Sequence, residues 1–183
     1  GAGVNNIPVD EMSRRGVVVF NAPGANANAV KELVIAGMLM ACRNIGQAWD
    51  FARSLEGTDE EINKQTEAGK KNYAGFELPG RTLGVVGLGA IGVRIANAAI
   101  ALGMKVVGFD PGITVKGAWS LDAAVQQAAT VDELLSKSDF VTFHVPLIDA
   151  TRGLINAERF KTMKDNVVIL NFARDGIVDD QAV

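Results

Sequence analysis

The chain has 183 residues, 48% of them apolar and 21% charged, enough for one sizeable domain with a real core and unlike a disordered segment. Its formal charge is −3 with no basic block, so a nucleic-acid partner is not expected, although backbone amides can still bind a small anion. The apolar run from Leu33 to Cys42 stops at Arg43, too short for a membrane span, and no membrane association is expected.

Gly1 to Asn6 reads neither as a translation start nor as a signal peptide, and the residues from Asp179 to Val183 read as a helix cut in its first turn. Both ends are therefore expected to be truncated. Gly16 to Asn21 is a β-branched run closed by Ala22-Pro23-Gly24, which predicts a strand and a turn. Asn28 is placed to cap a long helix over 29–55, with Val30, Leu33, Val34, Gly37, Met38 and Ala41 at helical spacing. Gly37 and Gly46 either weaken this helix or let another element come close. Its Cys42, the only cysteine, lies in an apolar run and is expected to be a buried thiol in a reducing, cytoplasmic compartment.

From Gly57 to Gly80 the composition turns polar, and Thr58 with Glu61 matches a capping box. This stretch is the best candidate for a connector between domains. Beyond Pro79-Gly80, strands are predicted at 81–86, 105–109, 139–144 and 166–171. Helices are predicted at 90–102, 121–127, 131–136 and 157–163. This alternation implies right-handed βαβ units, and the apolar runs 83–86 and 167–170 suit strands covered on both faces.

The strongest motif is Gly87-Leu88-Gly89-Ala90-Ile91-Gly92, which follows the strand 82–86 and opens a helix. Gly87 permits the tight turn, Gly89 lets a diphosphate approach the backbone, and Gly92 lets the helix pack closely. The free N–H groups at the helix start then face the anion. A second strand ends in Asp110-Pro111, where a carboxylate can accept both adenine-ribose hydroxyls and would repel a 2′-phosphate. No arginine follows nearby, so NAD is expected rather than NADP. The competing reading of Asp110 is a strand-end cap of a turn. No metal is expected.

Four stretches together carry a resemblance to a family: 80–92, 138–147, 151–155 and Asn171-Phe172-Ala173-Arg174-Asp175-Gly176-Ile177-Val178-Asp179. In their order along the chain they resemble the D-2-hydroxyacid dehydrogenases. Gly1 to Ile7 and Pro23 to Glu32 are similar to its phosphoglycerate dehydrogenase branch. The resemblance implies a doubly wound α/β parallel sheet of Rossmann type over residues 29–183. It also implies that residues 1–28 are a fragment of a second, flavodoxin-like substrate domain. It assigns Arg174 to grip the 2-oxo acid, as a planar fork suited to carboxylate and carbonyl oxygens. From spacing alone, that arginine could equally make a surface ion pair.

The resemblance also places Ala2, Gly3 and Asn26 at the substrate and Val30 beside the nicotinamide. It places Gly87, Gly89, Ala90, Ile91, Gly92, Asp110, Pro111, His144, Val145, Pro146, Thr151, Phe172 and Ala173 along the cofactor. His144 is the only histidine, yet it matches the cofactor-lining loop and not the acid–base catalyst. The family's proton-transferring histidine and its partner glutamate would lie beyond Val183, so this chain is expected to bind NAD without turnover. Asp175 stands where the family commonly has glycine, and its carboxylate would either weaken or orient Arg174. A homodimer through the cofactor domain is implied, as is hydride transfer between NAD and a small 2-hydroxy or 2-oxo acid, with 3-phospho-D-glycerate as the best candidate. The alternatives are another 2-hydroxy acid, or an NAD-sensing module like the C-terminal-binding protein corepressors.

Overall fold

Thr82-Leu83-Gly84-Val85-Val86 is apolar on both sides of its pleat, and it forms the middle strand of the sheet. A computed structural model describes residues 2–183; Gly1 lies outside the described residues. Five strands run parallel: β1 (Thr82–Val86), β2 (Lys105–Phe109), β3 (Gln126–Gln127), β4 (Phe140–Phe143) and β5 (Val168–Leu170). Their order in the sheet is β3-β2-β1-β4-β5, so the chain winds outward to β3 and then crosses β1 to start again at β4. Leu83 pairs with Val106 on one side and with Phe140 on the other.

Side chains alternate across each strand, so the sheet has a core on both faces. One core joins Leu83, Val85, Val106, Phe140 and Leu170 to α2 (Ala27–Arg43) and α5 (Gly92–Ala101) through Val34, Met38, Ile95 and Ala99. The other joins Val86, Val107, Val141 and Phe143 to α7 (Val131–Lys137) through Leu134 and Leu135. The result is an α/β/α three-layer arrangement around an all-parallel sheet. Asp139 fastens its start: one carboxylate oxygen accepts the Thr82 N–H at 2.7 Å and the other accepts Lys164 Nζ at 3.0 Å. Partial burial opposes the charge on Asp139, but these donors outweigh it and hold its pKa below the usual carboxylate value.

Three expectations need correction. The helix predicted over 29–55 is two helices, α2 and α3 (Ile45–Arg53), broken at Asn44, whose φ of 51° is left-handed. Its first residue is Ala27, with Asn26 at the cap position; Asn28 instead bonds Glu32 and Lys31. The break has a tertiary cause. The Cys42 carbonyl accepts the Phe76 N–H at 2.8 Å, and Gly75 packs so closely that a Cβ there would overlap that carbonyl.

The strand predicted at 16–21 is absent. Val17, Val18 and Phe20 are exposed, and no strand among the described residues runs beside them to complete a ladder. The helix predicted at 121–127 lies earlier, as α6 (Val115–Ser120), capped by Thr114, while Gln126 and Gln127 join the sheet as β3. Asn97 of α5 accounts for the shift, because its amide bonds both the Ser120 carbonyl and the Asp122 N–H.

Residues 179–183, expected to open a helix, hold turns and no helix, and the helix expected at 157–163 stops at Phe160; much of the remaining pattern is met. α4 (Asp59–Gly69) begins in the predicted capping box, with Thr58 N–H donating to Glu61 at 2.8 Å. Gly37 does admit a close neighbour, but the neighbour is the Phe172 ring, 3.0 Å from where a Cβ would stand. The short helices α1 (Val9–Arg14) and α8 (Ala157–Phe160) and a 3-10 turn at Lys70–Tyr73 are the remaining helical elements among the described residues.

The contact at Gly75 packs the loop before β1 against the end of α2. Gly75→Ala is expected to cost about 1–3 kcal/mol through overpacking, read as a lower urea midpoint at unchanged slope.

Candidate functional site

All the cofactor motifs fall at the carboxyl ends of the strands. The winding reverses between β1 and β4, and in such sheets ligands bind in the crevice outside that point. Gly87 leaves β1 with φ of 92°, a conformation that favours glycine. A Cβ there would stand 2.6 Å from the His144 carbonyl oxygen and 2.9 Å from Val145 Cγ1, so only glycine lets the two loops touch. Gly92 is equally constrained, since a Cβ would fall on the Gly87 carbonyl. Gly89 is the opposite case: nothing lies within 4 Å of its Cβ position. The loop is thus closed on its protein side and open on its outer side, as a backbone diphosphate cradle requires. Ala90 and Ile91 continue it into α5, and the Ala90 carbonyl accepts Arg94 Nη1 at 2.7 Å.

Asp110 reaches back into this loop. One carboxylate oxygen accepts the Leu88 N–H at 2.8 Å, and the other accepts the Gly112 N–H at 2.8 Å. The turn-capping reading is therefore realised. Each oxygen keeps a second lone pair, which leaves the ribose reading chemically open. Cavities flank Leu88 on two sides. One, of about 410 Å³, is lined by Gly108, Asp110 and Pro111. The other, of about 610 Å³, is lined by Pro23, Gly24, Gly89, Ala90 and Arg94.

The loop after β4 is braced by Thr151, whose hydroxyl donates to the Pro146 carbonyl at 2.5 Å and accepts the Ile148 N–H at 2.9 Å. Thr151 therefore shapes the loop rather than projecting freely from it. His144 Nε2 lies 2.9 Å from the Thr142 hydroxyl. Burial pushes the His144 imidazole down to about 4, so the ring is neutral near pH 7. That rules against a proton-donating imidazolium here and agrees with a lining role.

Arg174 follows β5 on a loop tied by Asn171. The Asn171 side chain accepts the Ala173 N–H at 3.2 Å and donates to the Arg174 carbonyl at 2.9 Å. This brace was missed in the sequence, although an Asn that opens a turn three residues before a charged group is its signal. Arg174 Nη1 bonds the Ala173 carbonyl at 2.8 Å, and Nη2 stands 3.0 Å from the Cβ position of Gly3. Arg174 enters no ion pair among the described residues, so the surface-pair reading does not hold, and Asp175 neither neutralises nor orients it.

Ala2, the residue before Gly3, is held by Asn21, whose amide donates to the Ala2 carbonyl at 2.9 Å. Asn26 is exposed at the start of α2, and Val30 packs on the core one turn on. Gly3 thus meets Arg174, Gly24 meets Ala90, Gly37 meets Phe172, and Gly87 meets His144 and Val145. Among the described residues no three His, Cys, Asp or Glu side chains gather as metal ligands, and no helix is long and apolar enough to cross a membrane.

The model of the D-isomer-specific 2-hydroxyacid dehydrogenase NAD-binding domain matches residues 35–183. The chain belongs to this family. It is 41% identical over all 183 residues to D-3-phosphoglycerate dehydrogenase of Methanocaldococcus jannaschii, covering 32% of that protein. It is 39% identical over its whole length to hydroxypyruvate reductase of Thermotoga maritima, covering 54% of it. The apo structure of D-lactate dehydrogenase from Escherichia coli superposes with a TM-score of 0.81 at 29% identity, over 99% of this chain and 52% of that one. The chain thus spans between about a third and a half of the relatives it matches. The family's cofactor is NAD, and the loop geometry fits it: an open face at Gly89, a helix start behind it, and an acidic side chain at the end of β2.

Two glycines of the 87–92 loop should separate folding from binding. Gly92→Ala is expected to lose stability in urea, whereas Gly89→Ala should keep the wild-type midpoint and weaken NADH binding, read by quenching of protein fluorescence.

His144 gives a pH signature. Its folded value is below the unfolded one, so the unfolded chain takes up the proton first as pH falls. The associated stability, about 3 kcal/mol, is complete above pH 6.5 and is lost between 6.5 and about 4. The wild-type urea midpoint should fall more steeply over that window than the midpoint of His144→Gln.

Proposed function

We propose that this chain is the cofactor-binding part of an NAD-dependent D-2-hydroxyacid dehydrogenase that oxidises 3-phospho-D-glycerate to 3-phosphohydroxypyruvate, in serine biosynthesis. The observation that carries the acid-binding part of this reading is the seating of the Gly3 backbone against an unpaired Arg174. It joins a cation that makes no ion pair, with Nη2 toward Gly3 and Nη1 on the Ala173 carbonyl, to a glycine-rich backbone at the mouth of the sheet. The choice of substrate leans on the M. jannaschii relative and its name.

In this reading Arg174 grips the carboxylate and the C2 oxygen together, holding the carbon in line and drawing charge toward the oxygen. The backbone N–H groups of Ala2 and Gly3 take the remaining carboxylate oxygen, and Asn26 lines the same cleft. Gly87, Gly89, Ala90, Ile91 and Gly92 hold the diphosphate, and Asp110 with Pro111 holds the adenosine ribose. His144, Val145, Pro146 and Thr151 border the cofactor from the β4 side. Val30, Phe172 and Ala173 border it at the nicotinamide end. NAD, when bound, supplies the hydride acceptor.

Residues 1–28 belong, in this proposal, to a flavodoxin-like substrate domain, and 29–183 to the Rossmann domain. The exposure of Val17, Val18 and Phe20 supports an unpartnered piece of a second unit. A homodimer through the cofactor domain is supported by the outer side of α2 and α3, where Leu33, Met40, Ile45 and Trp49 are exposed while Val34 and Met38 enter the core.

The T. maritima relative favours a second reading, in which another 2-hydroxy acid is the substrate. Steady-state oxidation by the full-length protein of 3-phospho-D-glycerate, D-glycerate and D-lactate decides between them. The phosphorylated acid should have the highest kcat/KM. Tight NADH binding without turnover of any of the three would sink the enzyme reading. Arg174→Lys, which keeps the charge and loses the fork, should lower kcat/KM on the order of a hundredfold, about 2.7 kcal/mol.

A further inference from the structure

We infer that the Thr142 hydroxyl locks His144 as its Nδ1–H tautomer, and that this N–H donates a hydrogen bond to an acceptor on the bound dinucleotide. Thr142 is then a positioning residue and His144 a binding residue, within the site proposed above, on which the ligand's identity rests. Thr142 sits in the middle of the parallel sheet, paired between Val85 of β1 and Leu170 of β5, and is wholly buried. His144 is two residues on, at the crest, so its ring lies on the same face as Thr142 and reaches back to it.

The 2.9 Å contact between Thr142 Oγ1 and His144 Nε2 is the hydroxyl's only hydrogen bond among the described residues. Two protonation patterns satisfy that distance. If the ring donated through Nε2–H, the hydroxyl proton would be left without an acceptor in a place that water does not reach, and a buried donor with no partner is costly. If the hydroxyl donates, Nε2 accepts and nothing is left unmade. A neutral ring has one N–H, which must then stand on Nδ1. Burial keeps the ring neutral, in agreement.

The other nitrogen completes the inference. Nδ1 has no partner among the described residues, yet no side-chain nitrogen or oxygen is both sealed from solvent and unpaired. Nδ1 therefore opens outward, at the end of β4, where the His144 carbonyl meets the Gly87 position at the switch of the sheet. An uncharged donor is held at that point. It offers direction to a phosphate, ribose or ring acceptor without adding a charge, and the buried hydroxyl fixes which nitrogen does so.

The chain has one histidine, so its ring signals need no assignment. In ¹⁵N spectra of the labelled free chain at pH 7, Nδ1 should show the protonated-type shift and Nε2 the unprotonated type. Adding NADH should move the Nδ1 signal. Thr142→Val removes the donor at nearly constant shape and should return the ring toward the Nε2–H form favoured in water. Its Kd for NADH should weaken about fivefold, with Thr142→Ser within about twofold of wild type. An Nε2–H ring in the free wild-type chain would overturn the tautomer. An Nδ1 signal unmoved by saturating NADH would overturn the donor role. Failure of NADH to bind the wild-type chain would instead refute the proposed function, and the free-chain spectrum would still decide the tautomer.

Discussion

The site depends on a contact between two pieces of backbone. Gly87 leaves the central strand and the His144 carbonyl leaves its neighbour, and they stand closer than any side chain would allow. They can do so because β1 and β4 are adjacent and parallel, and because the chain on either side turns away in opposite directions. From that contact the glycine loop rises toward α5 and the 144–151 loop falls away toward α8. The space between them is where an extended ligand can lie across the carboxyl ends of the strands. Moving either loop outward by a methyl group would change the width of that space, so the glycine requirement is geometric before it is functional.

Around this contact, loop shape is held by short polar braces. Asp110 takes the Leu88 amide, Thr151 closes the loop after Pro146, and Asn171 ties down the loop that carries Arg174. Each brace satisfies backbone groups that a tight turn leaves free. The consequence is electrostatic as well as structural. His144 stays neutral through burial, and Arg174 remains without a carboxylate partner. A cation left unpaired beside the amino-terminal loop, and neutral donors along the rest of the crest, suit an anionic acid at one end and a dinucleotide along the length.

The braces also show where pattern reading stops. The glycine motif 87–92, the acidic end of β2, the strand 105–109 and, within one residue, the strand ending at Val86 were legible, because each rests on apolar runs and turn chemistry within a few positions. The role of Thr142 was not legible, because a threonine inside a strand is common and its meaning comes from the group it happens to face; Asn171 carried a local turn signal. Asp110 had two readings in the sequence, and the geometry realises the bond to the loop while leaving lone pairs for a ligand.

The three misread elements have one cause. The helix through Asn44 has the right periodicity, yet the Cys42 carbonyl that should continue it is taken by Phe76, more than thirty residues on. The 121–127 segment is helical by composition, yet Asn97 captures the backbone beside it and the glutamines pair with β2. Gly16 to Asn21 has strand composition and no ladder to join. The amino-acid order by itself determined the parallel α/β plan, the cofactor loop and the family, because these follow from local periodicity and from glycine where backbone must bend or be approached. Only the tertiary structure decided where helices break, which polar side chains hold the loops and which charges stay unpaired. The helix break at Asn44 and the reach of Asp110 to Leu88 depend on partners brought together from distant parts of the chain, which no local pattern contains, whereas Thr151 and Asn171 brace their own loops within five residues.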